Sequence, residues 1–195
     1  MAAQNFKVLI AGGSIAGLVL ANMLQQLGID FLVLEAYPEI APQVGASIGF
    51  FPNGNRILDQ LGLFDDIRAK LDREMTNMYF KSPEGIALST TKNGAKHFIA
   101  RHGYDPVFID RQMAIEVLYD HIKEKSKVLV NRRVVGVEPF IRGIKVTTQD
   151  GSTYTGDILV GADGVHSQVR KEMWRLGDNF SPGYFARSDQ TGILP

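Results

Sequence analysis

Six residues near the N-terminus, Gly12-Gly13-Ser14-Ile15-Ala16-Gly17, have the composition of a turn that can hold a phosphate. An apolar run, Phe6 to Ala11, leads into them. A run with apolar residues every four positions (Ile15, Val19, Met23, Leu27) leads out. The predicted order is buried strand, Gly-rich turn, helix. A helix N-terminus carries unpaired N–H groups and the positive end of the dipole, so an anion is stabilised there. Gly12 permits the tight turn, and Gly17 lets the helix lie close to the strand. Ser14 departs from the usual pattern, which has glycine at that place. It adds a Cβ and a hydroxyl, and the hydroxyl is expected to bond a phosphate oxygen or tip the loop slightly.

Glu35 ends the next apolar run, Phe31 to Leu34, and follows Gly12 by 23 positions. That is near the offset at which an acid accepts hydrogen bonds from adenosine ribose hydroxyls. A carboxylate also repels a 2′-phosphate, so the predicted dinucleotide is FAD or NAD and not NADP. Glycines that served packing alone would not need the acid, and the ordered set favours a dinucleotide site.

A second segment, Gly156 to Arg170, contains Asp163-Gly164-Val165-His166-Ser167. A strand over Asp157 to Gly161 ends in a sharp turn, and a helix is predicted to open near Ser167. This again brings backbone donors and an acid to the carboxyl end of a strand, where open α/β sheets bind ligands. Taken alone, Asp163 is also suited to capping the following helix. His166 is expected to be a turn residue. Asp110-Arg111-Gln112 stands before an amphipathic run marked by Ile115, Leu118, Tyr119 and Ile122, predicted as a helix over Arg111 to Lys125.

The elements that must position these groups follow from periodicity and punctuation. Gly28 is suited to end the first helix. Pro38 to Pro52 is predicted to be irregular, and a helix is predicted over Asn53 to Leu61, with Asn53 as N-cap and Gly62 as its stop. Met75 to Thr90 fits two strands around Ser82-Pro83-Glu84-Gly85. Val107 to Ile109, Val128 to Val130, Val134 to Val137 and Ile144 to Thr148 fit short strands, with Asp150-Gly151 as a hairpin turn. The predicted class is α/β, a Rossmann-like dinucleotide-binding domain with an inserted antiparallel sheet.

Composition narrows the function further. Of 195 residues, 45% are hydrophobic and 22% charged, an ordinary globular balance. Lys plus Arg and Asp plus Glu both number 21, so bulk charge does not argue for nucleic acid. The absence of cysteine excludes disulfides, thiolate metal sites and cysteine nucleophiles. The four histidines show no metal-ligand spacing. The longest apolar stretches, Val8 to Ala11 and Gly17 to Ala21, are far below the roughly 18 residues of a membrane span, and no secretory signal is present, so the expected location is the cytoplasm.

From Val8 to about Arg175 the chain resembles class A flavoprotein monooxygenases, the para-hydroxybenzoate hydroxylase-like family. The resemblance rests on Gly12 to Gly17 with Glu35, on Asp110-Arg111-Gln112, and on Asp163-Gly164. It also rests on Gly45-Ala46-Ser47-Ile48-Gly49-Phe50, followed by Pro52-Asn53-Gly54. It is strongest toward fungal FAD-dependent monooxygenases and epoxidases of meroterpenoid and indole-diterpene biosynthesis. It implies FAD contacts at Gly12, Gly13, Ser14, Gly17, Glu35, Gly49, Arg111, Asp163 and Gly164. An arginine suits phosphate and ribityl oxygens because its fork of donors is fixed. The resemblance implies FAD as cofactor, NAD(P)H and a small-molecule substrate as partners, and no catalytic side chain or metal. In that chemistry NAD(P)H reduces FAD, dioxygen adds at the flavin C4a position, and the hydroperoxide hydroxylates or epoxidises a natural-product precursor. A halogenase or reductase fits the Asp163-Gly164 pattern less well.

The implied domains are an FAD-binding one over 1–72 and 105–175 and a partial substrate domain over 73–104 and 176–195. The family's later FAD segment, of Gly-Asp-Ala-Ala-His type, is not found in this sequence. The expectation is therefore an incomplete fold, and the alternative function is a catalytically inactive FAD-binding fragment.

Overall fold

In the computed structural model, residues 6–183 are described, apart from 44, 46 and 74. The elements run β1 (Lys7–Ala11), α1 (Ile15–Gln26), β2 (Asp30–Leu34), β3 (Ser47–Phe50), α2 (Pro52–Gln60), α3 (Phe64–Ala69), β4 (Met78–Lys81) and β5 (Ala87–Thr91). They continue with α4 (Gly94–His102), β6 (Val107–Asp110), α5 (Arg111–Asp120), β7 (Val128–Leu129), β8 (Val134–Phe140), β9 (Gly143–Thr148), β10 (Thr153–Gly156), β11 (Ile158–Gly161) and α6 (Gln168–Phe180). Two compact units result, one drawn from Met1–Ile40 and Ile122–Pro195, the other from Ala41–His121.

The first unit contains a parallel sheet in the order β11-β1-β2-β7. The chain moves outward from β1 to β2 on one side and returns to β11 on the other. β1 is covered on both faces, which explains its unbroken apolar run. Leu9 and Ala11 join Leu34, Val134, Val137 and Val146 in a buried cluster shared with the antiparallel sheet β10-β9-β8, and Val169 and Leu176 of α6 pack against it. On the other face, Ile10 lies beneath Gly17 of α1. β8 is one edge strand of the antiparallel sheet. There Glu172 accepts from the Val137 N–H (3.1 Å) and Arg175 donates to the Val137 carbonyl (3.0 Å). Two α6 side chains thus satisfy the groups that an edge strand leaves open.

The second unit contains two antiparallel ribbons, β3-β6 and β4-β5, with four helices. Leu58, Leu63, Phe64, Ile67, Ile115 and Leu118 of the α2-α3-α5 region are buried. Phe64 meets Tyr104 edge-on, with ring centroids 5.3 Å apart.

Several elements differ from the sequence expectations. The stretch expected to be irregular holds β3, because Ser47 to Phe50 finds a partner in β6 that local sequence does not show. The second helix starts at Pro52, not after an Asn53 cap, because proline's fixed φ suits the first helical position. The third predicted helix ends at Asp120, five residues early, and is followed by a 3-10 turn over Lys125–Lys127. Helices α3 and α4 are additional. The predicted N-terminal strand, α1, β2, the hairpin about residues 82–85, and the helix opening after Ser167 are all present. Residues 184–195, the last part of the expected substrate-domain return, lie outside the described residues.

Candidate functional site

In the first unit, β1 and β11 are parallel neighbours, and both end at the same edge of the sheet. Their turns are packed backbone to backbone. Gly12 has φ +106°, and a Cβ there would sit 2.4 Å from the Ala162 carbonyl oxygen and 3.1 Å from the Asp163 nitrogen. Glycine is therefore required twice, by conformation and by space. Gly17 is required by space alone, since its Cβ would lie 1.9 Å from the Gly12 oxygen. The N-terminus of α1 is thereby pressed onto the turn. Ser14 takes the N-cap position in extended conformation, and its side chain does not cap the helix.

Glu35 stands at the end of β2 and is 7% exposed. Its backbone is fixed at both groups: its N–H donates to Leu129 (2.8 Å) and its carbonyl accepts from Arg132 (2.7 Å). Its carboxylate accepts from the Gly13 N–H at 2.5 Å and from the Tyr37 N–H at 2.8 Å, one on each oxygen. A carboxylate has about four lone-pair sites, so two remain for a diol or another donor pair. A buried carboxylate that accepts from two amides is held in a fixed orientation.

Asp163 has a different role. One carboxylate oxygen accepts from the Gln168 N–H (2.7 Å) and the Val169 N–H (3.1 Å), and the other accepts from the Ser167 hydroxyl (2.5 Å). The Ser167 hydroxyl in turn accepts from the Arg170 N–H (2.9 Å). The first turn of α6 is therefore capped twice, which leaves the Asp163 side chain occupied by its own chain. Gly164 follows with φ +80° and open space beside it. His166 is an exposed turn residue.

In the second unit, Gly49 pairs with Phe108, and Ser47 with Asp110. The Phe108 ring lies over Gly49, 2.9 Å from where a Cβ would be, so this glycine already has a packing reason. Arg111 begins α5 directly after Asp110, whose carboxylate caps the helix through the Gln112 N–H at 2.9 Å. The Arg111 side chain runs beside Gly45, which has φ +121°. Gly49 thus lies in the β3-β6 ribbon, and Arg111 follows it directly at the start of α5. Gly12, Gly13, Ser14, Gly17, Glu35, Asp163 and Gly164 belong to one sheet edge in the first unit. The Tyr37 amide and the Ala162 carbonyl were not foreseen, because a backbone group leaves no mark in residue type.

Among the described residues, no group of three or more His, Cys, Asp or Glu could hold a metal ion, and no helix is long and apolar enough to cross a membrane. The anion-ready helix N-terminus, the tight turn and the oriented buried carboxylate together fit the pyrophosphate and ribose of a dinucleotide.

Comparisons with known proteins agree with this chemistry. A sequence family described as an FAD binding domain matches residues 5–176. The chain is 44% identical over 193 residues to the FAD-dependent monooxygenase olcE of Penicillium canescens, covering 99% of this chain and 41% of the relative. It is 48% identical over 193 residues to the FAD-dependent monooxygenase nvfK of Aspergillus novofumigatus, covering 99% and 40%. The chain thus spans about two fifths of the length of these curated relatives. Among solved structures it resembles Klebsiella pneumoniae HpxO complexed with FAD and uric acid, with TM-score 0.74 and 30% identity over 86% of this chain and 41% of that one. It also resembles 2-methyl-3-hydroxypyridine-5-carboxylic acid oxygenase, with TM-score 0.72 and 28% identity over 88% and 43%. With the family match running from the start of β1 into α6, the chain belongs to the FAD binding domain family.

Proposed function

We propose that this chain forms the cofactor-holding part of an FAD-dependent monooxygenase that uses NAD(P)H and dioxygen to hydroxylate or epoxidise a natural-product precursor. The observation that carries the cofactor assignment is the Glu35 carboxylate, held by Gly13 and Tyr37 amides beside the N-terminus of α1. The N-terminal amides of α1 receive the pyrophosphate, and the Gly12–Gly13 turn places them. The two uncommitted lone pairs of Glu35 accept the adenosine ribose hydroxyls. Its negative charge repels a 2′-phosphate, which favours FAD over NADP at this position. Arg111 offers its guanidinium fork to phosphate or ribityl oxygens, and Gly49 presents backbone in place of a side chain. Asp163 and Gly164 act on the cofactor through backbone placement, because the Asp163 carboxylate is engaged with α6.

The flavin, when bound, supplies electron acceptance from NAD(P)H and the activation of dioxygen. The protein's own residues orient it and exclude water around it. Names of the relatives support the reaction class, and several of those relatives are fungal. The test has two stages. FAD is titrated into the purified chain, and flavin fluorescence and the visible band are recorded. NAD(P)H oxidation is then followed with and without alkene or phenol substrates of terpenoid type, with product analysed for one added oxygen. Saturable flavin binding with coupled oxygenation is expected for the full activity. Flavin binding without turnover would restrict this chain to holding the cofactor, and no flavin binding would end the proposal.

A further inference from the structure

We propose that Asn55 is a positioning residue that locks the register of the β3-β6 ribbon and so sets where Gly49 and Arg111 stand. The inference rests on reading those two residues as cofactor contacts. The paired residues end at Phe50 opposite Val107. Continued by one and two residues, the same register would set Phe51 opposite Pro106 and Pro52 opposite Asp105. Neither proline has an N–H to give to the ladder. Asn55, from the first turn of α2, supplies side-chain donors at the place where the ladder stops. Its Nδ2 donates to the Phe50 carbonyl at the end of β3 (3.2 Å) and to the Asp105 carbonyl just before β6 (2.8 Å).

Two further observations make this a device and not incidental packing. Asn55 is fully buried, and its Oδ1 has no hydrogen-bond partner among the described residues. An unpaired buried acceptor is unfavourable, so an apolar side chain would serve the local core better if filling space were the only task. The amide orientation is also fixed, because a flipped side chain would aim its oxygen at two carbonyl oxygens. The donor pair is what the position requires. From Phe50 the ribbon runs one residue back to Gly49, and from Val107 it runs through Phe108 to Asp110 and Arg111. A slip of one residue by either strand would part Gly49 from Phe108 and put the two on opposite faces of the ribbon.

The experiment compares the full chain with Asn55→Leu, which is close in volume and lacks both donors. The control is Leu58→Ala, which removes buried packing from the same helix (Leu58 is 2% exposed) and leaves the donors in place. Each protein is measured for thermal midpoint, for hydrogen exchange of the peptides covering residues 47–50 and 107–111, and for FAD affinity by flavin fluorescence. Asn55→Leu should speed exchange in those peptides at least tenfold relative to Leu58→Ala and weaken FAD binding about tenfold, while Leu58→Ala lowers the midpoint at least as much. Equal exchange and equal FAD affinity in the two variants would overturn the proposal. If the unaltered chain binds no FAD, the cofactor reading fails and takes the cofactor part of the inference with it. The exchange comparison still decides the register. If Asn55→Leu does not fold, Asn55→Ser, which keeps one donor, must show intermediate exchange for the inference to stand.

Discussion

Gly13 donates its N–H to the Glu35 carboxylate across 2.5 Å, joining two residues 22 positions apart in sequence. The phosphate-type turn and the ribose-type acid are therefore one unit before any ligand arrives. This coupling predicts that Glu35 affects both stability and binding. Glu35→Ala leaves the Gly13 and Tyr37 amides unpaired in a site where water has little access, a loss of about 1–3 kcal/mol. Glu35→Gln keeps an acceptor and should lose less. Both variants should weaken FAD affinity at least about tenfold, or about 1.4 kcal/mol. Chemical denaturation and fluorescence titration would show it. Unchanged FAD affinity in Glu35→Ala would remove the ribose assignment.

Gly12 and Gly28 both have positive φ, but only Gly12 faces another backbone. Gly12→Ala must displace the 162–163 turn as well as accept the strained conformation. Gly28→Ala has nothing within 4 Å and bears only the conformational penalty of about 1–2 kcal/mol. Gly12→Ala is therefore expected to lose clearly more stability and to abolish flavin binding, with Gly28→Ala retaining it. Similar thermal midpoints for the two would contradict the close packing of the two turns.

Ser167 and Asp163 cap α6 together. Ser167→Ala should lower stability by about 1 kcal/mol, in the range found for N-cap residues. Asp163→Ala removes the acceptor of two amides and of the Ser167 hydroxyl, so its effect should be larger. If Asp163 acts through backbone placement, Asp163→Asn, which keeps one carbonyl oxygen, should retain measurable FAD binding. Complete loss of binding in a folded Asp163→Asn protein would instead assign the carboxylate a direct role.

Asp150, in the β9-β10 turn, titrates unusually low. Hydrogen bonds from Thr148 and then Ser152, helped by the Arg132 charge, hold its carboxyl down from the ordinary 3.8 to about 2. A folded-state value below the unfolded one means that its stabilising effect is complete above about pH 4. That effect is lost as pH falls toward 2. Carboxyl-detected NMR titration should place Asp150 well below the ordinary 3.8, and Thr148→Val should raise it. A normal midpoint in the unaltered chain would show that the turn's hydrogen bonds are not maintained in solution.

Much of the fold was visible in residue order. Phe6 to Ala11, Gly12 to Gly17 and Glu35 gave strand, turn, helix and acid because each uses a local rule: burial on both faces, glycine-permitted backbone, an i to i+4 stripe. The Ser167 helix start was legible because a cap is a side chain within three residues of the amide it serves. β3 was not, since Ser47 to Phe50 becomes a strand only through Val107 to Asp110, about sixty residues later. The role of Asn55 was hidden for the same reason, as its partners Phe50, in β3, and Asp105, just before β6, are far apart in sequence.

The sequence by itself determined the chemistry on offer: a Gly-rich turn before a helix, an acid at ribose distance, an arginine at a helix start, and a family resemblance that the FAD binding domain match bears out. Tertiary structure alone decided which of those groups are engaged by the protein and which keep capacity for a ligand. It committed the Asp163 carboxylate to α6, left Glu35 two lone-pair sites between two amides, and pressed Gly12 against Ala162. The physical reason is that side-chain identity sets what a group can bond, whereas occupancy depends on backbone amides and carbonyls, which every residue carries and only the fold brings within reach.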